Sequence, residues 1–140
     1  MLNYFVKLNR GYRRYRPFSD REAWALFRAA AIAEAIGWTL LIIGIACKQL
    51  PFGWHEIPVA IAGRIHGIFF IAYIMAALAF GSSLGWSIPK TLVAGLFSVP
   101  PYGSMVFEQW EAKRRASVRA RRIYRTVWYW RLADARPAKI

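Results

Sequence analysis

The sequence predicts an all-α membrane protein, a multi-pass bundle of about three hydrophobic segments with an interfacial basic helix at its C-terminal end. Apolar residues make up 57% of the 140, above the usual range of soluble domains. The formal charge is nevertheless +13, so the chain is both greasy and basic. That charge is concentrated at the ends. Residues 1–28 carry seven Lys and Arg against two acids, residues 108–140 carry ten against three, and the long middle carries three against two. A soluble nucleic-acid binder clusters its basic groups on a binding face, whereas a chain that crosses a bilayer keeps them out of the oil. Nucleic acid is therefore not an expected partner. Membrane lipids with anionic head groups are, together with other membrane protein subunits.

The length suits one compact unit, divided here into a basic N-terminal tail (1–18), a membrane domain (19–107) and a basic amphipathic C-terminal tail (108–140). The first apolar run, Tyr4-Phe5-Val6, is too short for a secretory signal and is followed by arginines instead of a cleavage site. A mitochondrial transit peptide would be rich in serine, which is missing before Ser19. The expected location is the cell inner membrane, with the mitochondrial inner membrane as the alternative.

Ser19 followed by Glu22 fits a capping box, so a helix should begin there. Its first turns mix Arg21 and Arg28 with Trp24 and Phe27, a composition of the membrane interface. The first spanning segment is 29–47, whose one charge is Glu34. Its length is ~28 Å at the helical rise, enough to cross a hydrocarbon core. Lys48 to Pro51 ends it, and 52–58, with His55, forms a short loop. The second segment is 59–80, with Arg64 and His66 near its start. The run from Gly81 to Gly85 breaks it.

The third segment, 91–107, is the shortest and contains Pro100-Pro101 and Gly103. A double proline removes two backbone donors and blocks regular helix. In lipid such a break requires other groups to satisfy the freed carbonyls. Three outcomes stay open: a kinked span, a span ending near Val99, or a re-entrant segment. The choice matters for topology. Basic tails favour the cytoplasmic side, yet three full spans put the two tails on opposite sides.

In the C-terminal tail, Trp110, Val118, Ile123, Val127, Trp128, Trp130 and Leu132 interleave with arginines. This reads as a helix lying in the head-group region, with Arg114, Arg115, Arg119, Arg121, Arg122 and Arg125 on the lipid surface.

The polar residues inside the segments are the candidates for function. Glu34 within a span marks a functional site or a buried hydrogen-bonded carboxylate. His66 could relay protons, although a histidine bonded to a neighbouring helix is the plainer reading. Depth arithmetic along antiparallel helices separates Glu34 from His66 by ~11 Å. It places Glu34 level with Tyr73 and, if the third segment crosses, His66 level with Tyr102 and Ser104. Arg64 lies nearer the interface, where its stem can reach head groups or pair with Glu56 or Glu108. No His, Cys or carboxylate cluster has metal-ligand spacing, so no cofactor or metal is expected. Cys47 is the only cysteine, and no nucleophile–base pair is visible, so no enzyme is expected. Small residues recur at helix-contact spacing: Ala29, Ala33 and Gly37 in the first segment, Gly63 and Gly67 in the second.

Three strings stand in order along the chain: Arg28-x5-Glu34-Ala-Ile-Gly, His66-Gly-Ile-Phe-Phe-Ile-Ala-Tyr73, and Val99-Pro-Pro-Tyr-Gly-Ser104-x-x-Phe107-Glu108. Together they resemble the small integral membrane proteins of domain of unknown function 3817, the YdzA-like family, over roughly 26–110. The resemblance implies a membrane-embedded architecture of three helices and no particular activity. Two departures stand out: Lys48 precedes Pro51 where the family tends to have the reverse order, and the basic tails extend beyond the family's core. The expected role is a non-enzymatic accessory or scaffold subunit with its tails at an anionic surface. The alternative is a small transporter or proton relay using Glu34 and His66.

Overall fold

The computed structural model describes residues 1–51 and 56–134, the side chains of 128–134 excepted. The expected loop residue His55 and the side chains of Trp128, Trp130 and Leu132 lie outside the described residues. Among the described residues no strand occurs, and the helices are α1 (Leu2–Arg14), α2 (Asp20–Cys47), α3 (Glu56–Gly81), α4 (Ile88–Leu96) and α5 (Gly103–Asp134). The chain forms two compact units, Met1–Glu108 and Gln109–Ile140.

The N-terminal segment is a helix where a tail was expected. Apolar Leu2, Phe5 and Leu8 and basic Lys7, Arg10 and Arg14 alternate in sequence, but at ~100° per residue they sort onto opposite faces.

α2 begins as its cap residues dictate. Ser19 Oγ accepts from the Glu22 N–H at 3.3 Å, and the Ser19 N–H donates to the Glu22 carboxylate at 3.2 Å. These reciprocal bonds satisfy donors that a helix start leaves open. α2 and α3 are long and apolar enough to cross a membrane, and only 28% and 17% of their most apolar stretches are buried within the protein. The core helix of a soluble domain would be mostly covered. Here Ile36, Ile43, Ile61, Ile68 and Ile71 point outward, each at least half exposed. Such surface calls for a cover, as acyl chains or partner helices would supply.

α2 and α3 pack antiparallel through glycines of α2. A Cβ on Gly44 would lie 3.0 Å from the Pro58 carbonyl and from Val59 Cα, and one on Gly37 would lie 3.2 Å from His66 Cα. The expected glycine pair on α3 is not part of this contact. A Cβ at Gly63 would meet only Leu41, at 4.0 Å, and one at Gly67 would meet nothing within 4 Å. The reason is rotation: α3 presents Ala62, His66, Phe69 and Tyr73 to α2, and a step of one residue turns Gly63 and Gly67 ~100° away. Gly44→Ala should therefore destabilise the helix pair by about 1–2 kcal/mol, whereas Gly67→Ala should be neutral within about 0.5 kcal/mol. Thermal unfolding of the two variants in one detergent compares them directly.

The expected third segment is a hairpin instead of one helix. α4 runs back along α3, with Thr91 beside Gly81 and Gly95 beside Ile74. α5 then starts against α2, with Ser104 bonded at Ala31 and Glu34 and Glu108 paired with Arg28. α4 therefore descends from the end of the bundle where α2 starts and α3 finishes, and the opening turns of α5 climb back toward that end. The double proline is the cause, because Pro100 and Pro101 cannot continue α4. The chain turns through Tyr102 in left-handed backbone (φ 60°), and the Gly103 N–H closes the turn on the Pro100 carbonyl at 3.0 Å.

The hairpin fills only one half of the α2–α3 pair. There Phe27 is wholly buried, with Trp86, Tyr73 and Phe107 rings around it at centroid distances of 4.9, 5.5 and 6.2 Å. Ala23, Ala31, Ala77 and Ala94 complete this core.

Candidate functional site around Glu34

The turn of the hairpin meets α2 near its middle, and Glu34 lies at that junction. Its carboxylate is fully buried and accepts two hydrogen bonds, from Trp38 Nε1 at 2.8 Å and from the Ser104 hydroxyl. The Trp38 bond follows from spacing, since residues four apart stack on one helix face. The Ser104 bond comes from the first turn of α5, and Ser104 Oγ also reaches the Ala31 carbonyl at 3.3 Å. Glu34 thus ties the hairpin to α2.

The other polar groups serve the broken backbone. The Ser98 N–H bonds Gly95 instead of the Ala94 carbonyl, and the Tyr73 hydroxyl donates to that freed carbonyl at 2.9 Å. The Ser98 carbonyl, past the end of α4, faces Trp38 Nε1 at 3.4 Å. Tyr102 Oη exchanges a hydrogen bond with Thr39 Oγ1 at 3.1 Å. Tyr73 and Trp38 thus serve carbonyls at the end of α4, while the Leu96 carbonyl, which Pro100 has no N–H to serve, accepts from the Val99 N–H at 3.1 Å. Tyr73→Phe should cost about 1 kcal/mol in thermal unfolding, because it leaves a buried carbonyl without its donor.

His66 lies beside Trp38, ring centroids 4.4 Å apart, and its Nδ1 is buried without a hydrogen-bond partner. Glu34 interacts electrostatically with Tyr73. Of the two residues expected level with His66, Tyr102 bonds Thr39, the neighbour of the Trp38 that His66 packs against, whereas Ser104 is corrected: it bonds Glu34, about one helical turn away. That arithmetic required a third crossing, and the chain turns back before completing one. Arg64 is exposed, and both acids offered as its partners are engaged elsewhere. Glu108 pairs with Arg28 at 3.3 Å and Glu56 with Lys48 at 3.0 Å. Sequence reasoning missed Trp38, Ser98 and Thr39 as members of the cluster, and set Ser104 level with His66 instead of with Glu34. Of these, only Trp38 carried a sequence signal, its position four residues after Glu34.

Among the described residues, no group of three or more His, Cys, Asp or Glu gathers to hold a metal. Trp38 stands between Glu34 and His66. An indole N–H is a donor only and cannot take up a proton, so it does not pass one along. The arrangement acts as a clamp that holds helices together.

In the second unit, Arg114 and Arg115 pair with Glu111 at 3.0 and 3.7 Å. The hydrogen bonds to Glu111 hold the Arg114 guanidinium above its ordinary value. Arg119, Arg121, Arg122 and Arg125 are exposed.

Residues 24–113 match the family described as Domain of unknown function (DUF3817). Over 85 residues, 60% of the chain, the sequence is 34% identical to a protein of Streptomyces coelicolor named as a membrane protein. The chain spans about a tenth of that relative's length, the matched stretch being 10% of it. No solved structure matches. The family match covers the whole Glu34 cluster, from Phe27 through Trp38 and Tyr73 to Ser104, and with well over half of the sequence inside it, the chain belongs to the DUF3817 family.

Proposed function

We propose that the protein is a non-enzymatic accessory or scaffold subunit of the cell inner membrane, with two spans, a re-entrant hairpin and both basic ends on the cytoplasmic side. The observation that supports this most is the level of the hairpin turn. Glu108 lies beside Arg28 and Ser98 beside Trp38, so the hairpin reaches ~15 Å along α2, about half of a hydrocarbon core. A segment that turns back at mid-depth leaves on the side where it entered. The tail beyond Glu108 is too charged to cross again. Both basic ends then obey the same charge rule, and the conflict between three spans and two cytoplasmic tails disappears.

Two further facts support an accessory role. Glu34 and Ser104 are each fully buried and bonded to one another, which favours structure over catalysis. A segment similar to this chain makes up a tenth of a longer protein, as expected of a membrane part that works alongside others.

The test is cysteine accessibility in the intact chain carrying Cys47→Ser. Labels at Asn3→Cys and Ser117→Cys should react with an impermeant reagent in inverted vesicles only, and Gln49→Cys in right-side-out vesicles only. Labelling of positions 3 and 117 from opposite sides would refute the topology. Purification in mild detergent should bring down a stoichiometric membrane partner, and a chain that always elutes alone would refute the accessory role.

A further inference from the structure

We infer that α1 is a membrane-surface anchor, lying in the plane of the bilayer with its apolar face among acyl chains and its basic face on anionic head groups. The inference rests on the membrane reading above. α1 has no buried residue, yet it is helical from Leu2 to Arg14. A helix of this length is marginal in water without a surface to bury its apolar side. Its apolar side is large: Leu2 and Tyr4 are more than 70% exposed, and Phe5 and Leu8 about half. The opposite face carries Lys7, Arg10 and Arg14, with no acidic residue in the helix to offset them. An apolar face backed by cations is the composition of a helix at an anionic lipid surface.

The fold also holds α1 at the right depth. Tyr12 Oη donates to the Leu78 carbonyl at 3.3 Å and lies 3.2 Å from Thr91 Oγ1. Asn9 Oδ1 accepts from the Ile88 N–H at 3.0 Å at the start of α4. Phe18 packs edge-on against Phe80, ring centroids 5.1 Å apart. These contacts fix the helix beside the ends of α3 and α4, where the apolar segments give way to polar sequence. Asn9 and Tyr12 lie on the same side of α1 as Leu2, Phe5 and Leu8, so that side is turned towards the bundle and the level of its apolar segments, while Leu2, Phe5 and Leu8 themselves stay exposed. The protein supplies the placement, and a lipid surface supplies the missing burial.

The experiment uses the full chain carrying Cys47→Ser, reconstituted into vesicles of phosphatidylglycerol and phosphatidylcholine. Spin labels are placed singly by Leu8→Cys, Lys7→Cys and, as a span control, Ile43→Cys. Position 8 should collide preferentially with oxygen and position 7 with a water-soluble nickel complex. Adding Lys7→Glu, Arg10→Glu and Arg14→Glu to the Leu8→Cys chain should abolish the oxygen preference at position 8. Water-like accessibility at position 8 with a buried position 43 overturns the inference and leaves the spans standing. Water-like accessibility at both positions overturns the spans as well. A disulfide between two copies at position 8 means that the occupant is a second chain and overturns the lipid assignment. Burial of position 8 that survives the charge reversal overturns the role of the cations.

Discussion

Replacing Glu34 with alanine should destabilise the membrane domain by about 3 kcal/mol, because two buried donors lose their acceptor at once. Trp38 Nε1 and the Ser104 hydroxyl both point at this carboxylate. Their fallback partners, the Ser98 and Ala31 carbonyls at 3.4 and 3.3 Å, are longer contacts that recover part of the loss. Glu34→Gln keeps an acceptor for Trp38 and should cost only about 1 kcal/mol. Thermal unfolding in detergent, followed by tryptophan fluorescence, measures both. The hairpin should also loosen before the α2–α3 pair does, because Glu34 is what fastens it. Protease cleavage near Val99 in Glu34→Ala at a temperature where the parent chain is intact would show this. If the alanine and glutamine variants unfold with the parent, Glu34 is not a clamp.

The second large effect is expected at Gly103. A methyl group there would overlap the Phe97 carbonyl oxygen and come within 2.8 Å of Pro100 Cγ. Neither obstacle yields easily, since one is backbone and the other a proline ring in the same turn. The turn is already constrained by left-handed Tyr102, which costs a residue other than glycine about 1 kcal/mol. Gly103→Ala should therefore cost about 3 kcal/mol, at the upper end of overpacking penalties. It should also displace Ser104 from Glu34. Near-ultraviolet circular dichroism of the purified variant reads this through the Trp38 environment. A Gly103→Ala chain with parental stability and spectrum would show that the turn is more open than the structure implies.

The helices and their apolar character were legible because each rests on local signals. The Ser19–Glu22 box marks the start of α2, and length with hydropathy marks α2 and α3. The hairpin was legible only as one of three options. Pro100-Pro101 guarantees a break, but the direction of the chain after it is decided by long-range bonds from Trp38, Tyr73 and Glu34. Those bonds join residues 60 to 70 positions apart, or 21 in the case of Tyr73, and leave no periodic trace. The depth arithmetic misplaced Ser104 for the same reason: it extended a straight segment through a turn. The small-residue pattern misled on α3 because spacing shows that glycines share a face without showing which way the face points. α1 was missed because its alternating aromatic and basic residues sort into two faces only once the helical period is imposed.

The capping of Ala94 by Tyr73, and the meeting of Ser98 with Trp38, have a consequence for biogenesis. The donors that make the α4–α5 bend tolerable in oil belong to helices synthesised earlier. On the two-span reading proposed above, the Ala94 and Ser98 carbonyls lack these donors during translation until α2 and α3 lie side by side in the bilayer. On that reading insertion is ordered: the first two helices form the template, and the last apolar stretch folds against them.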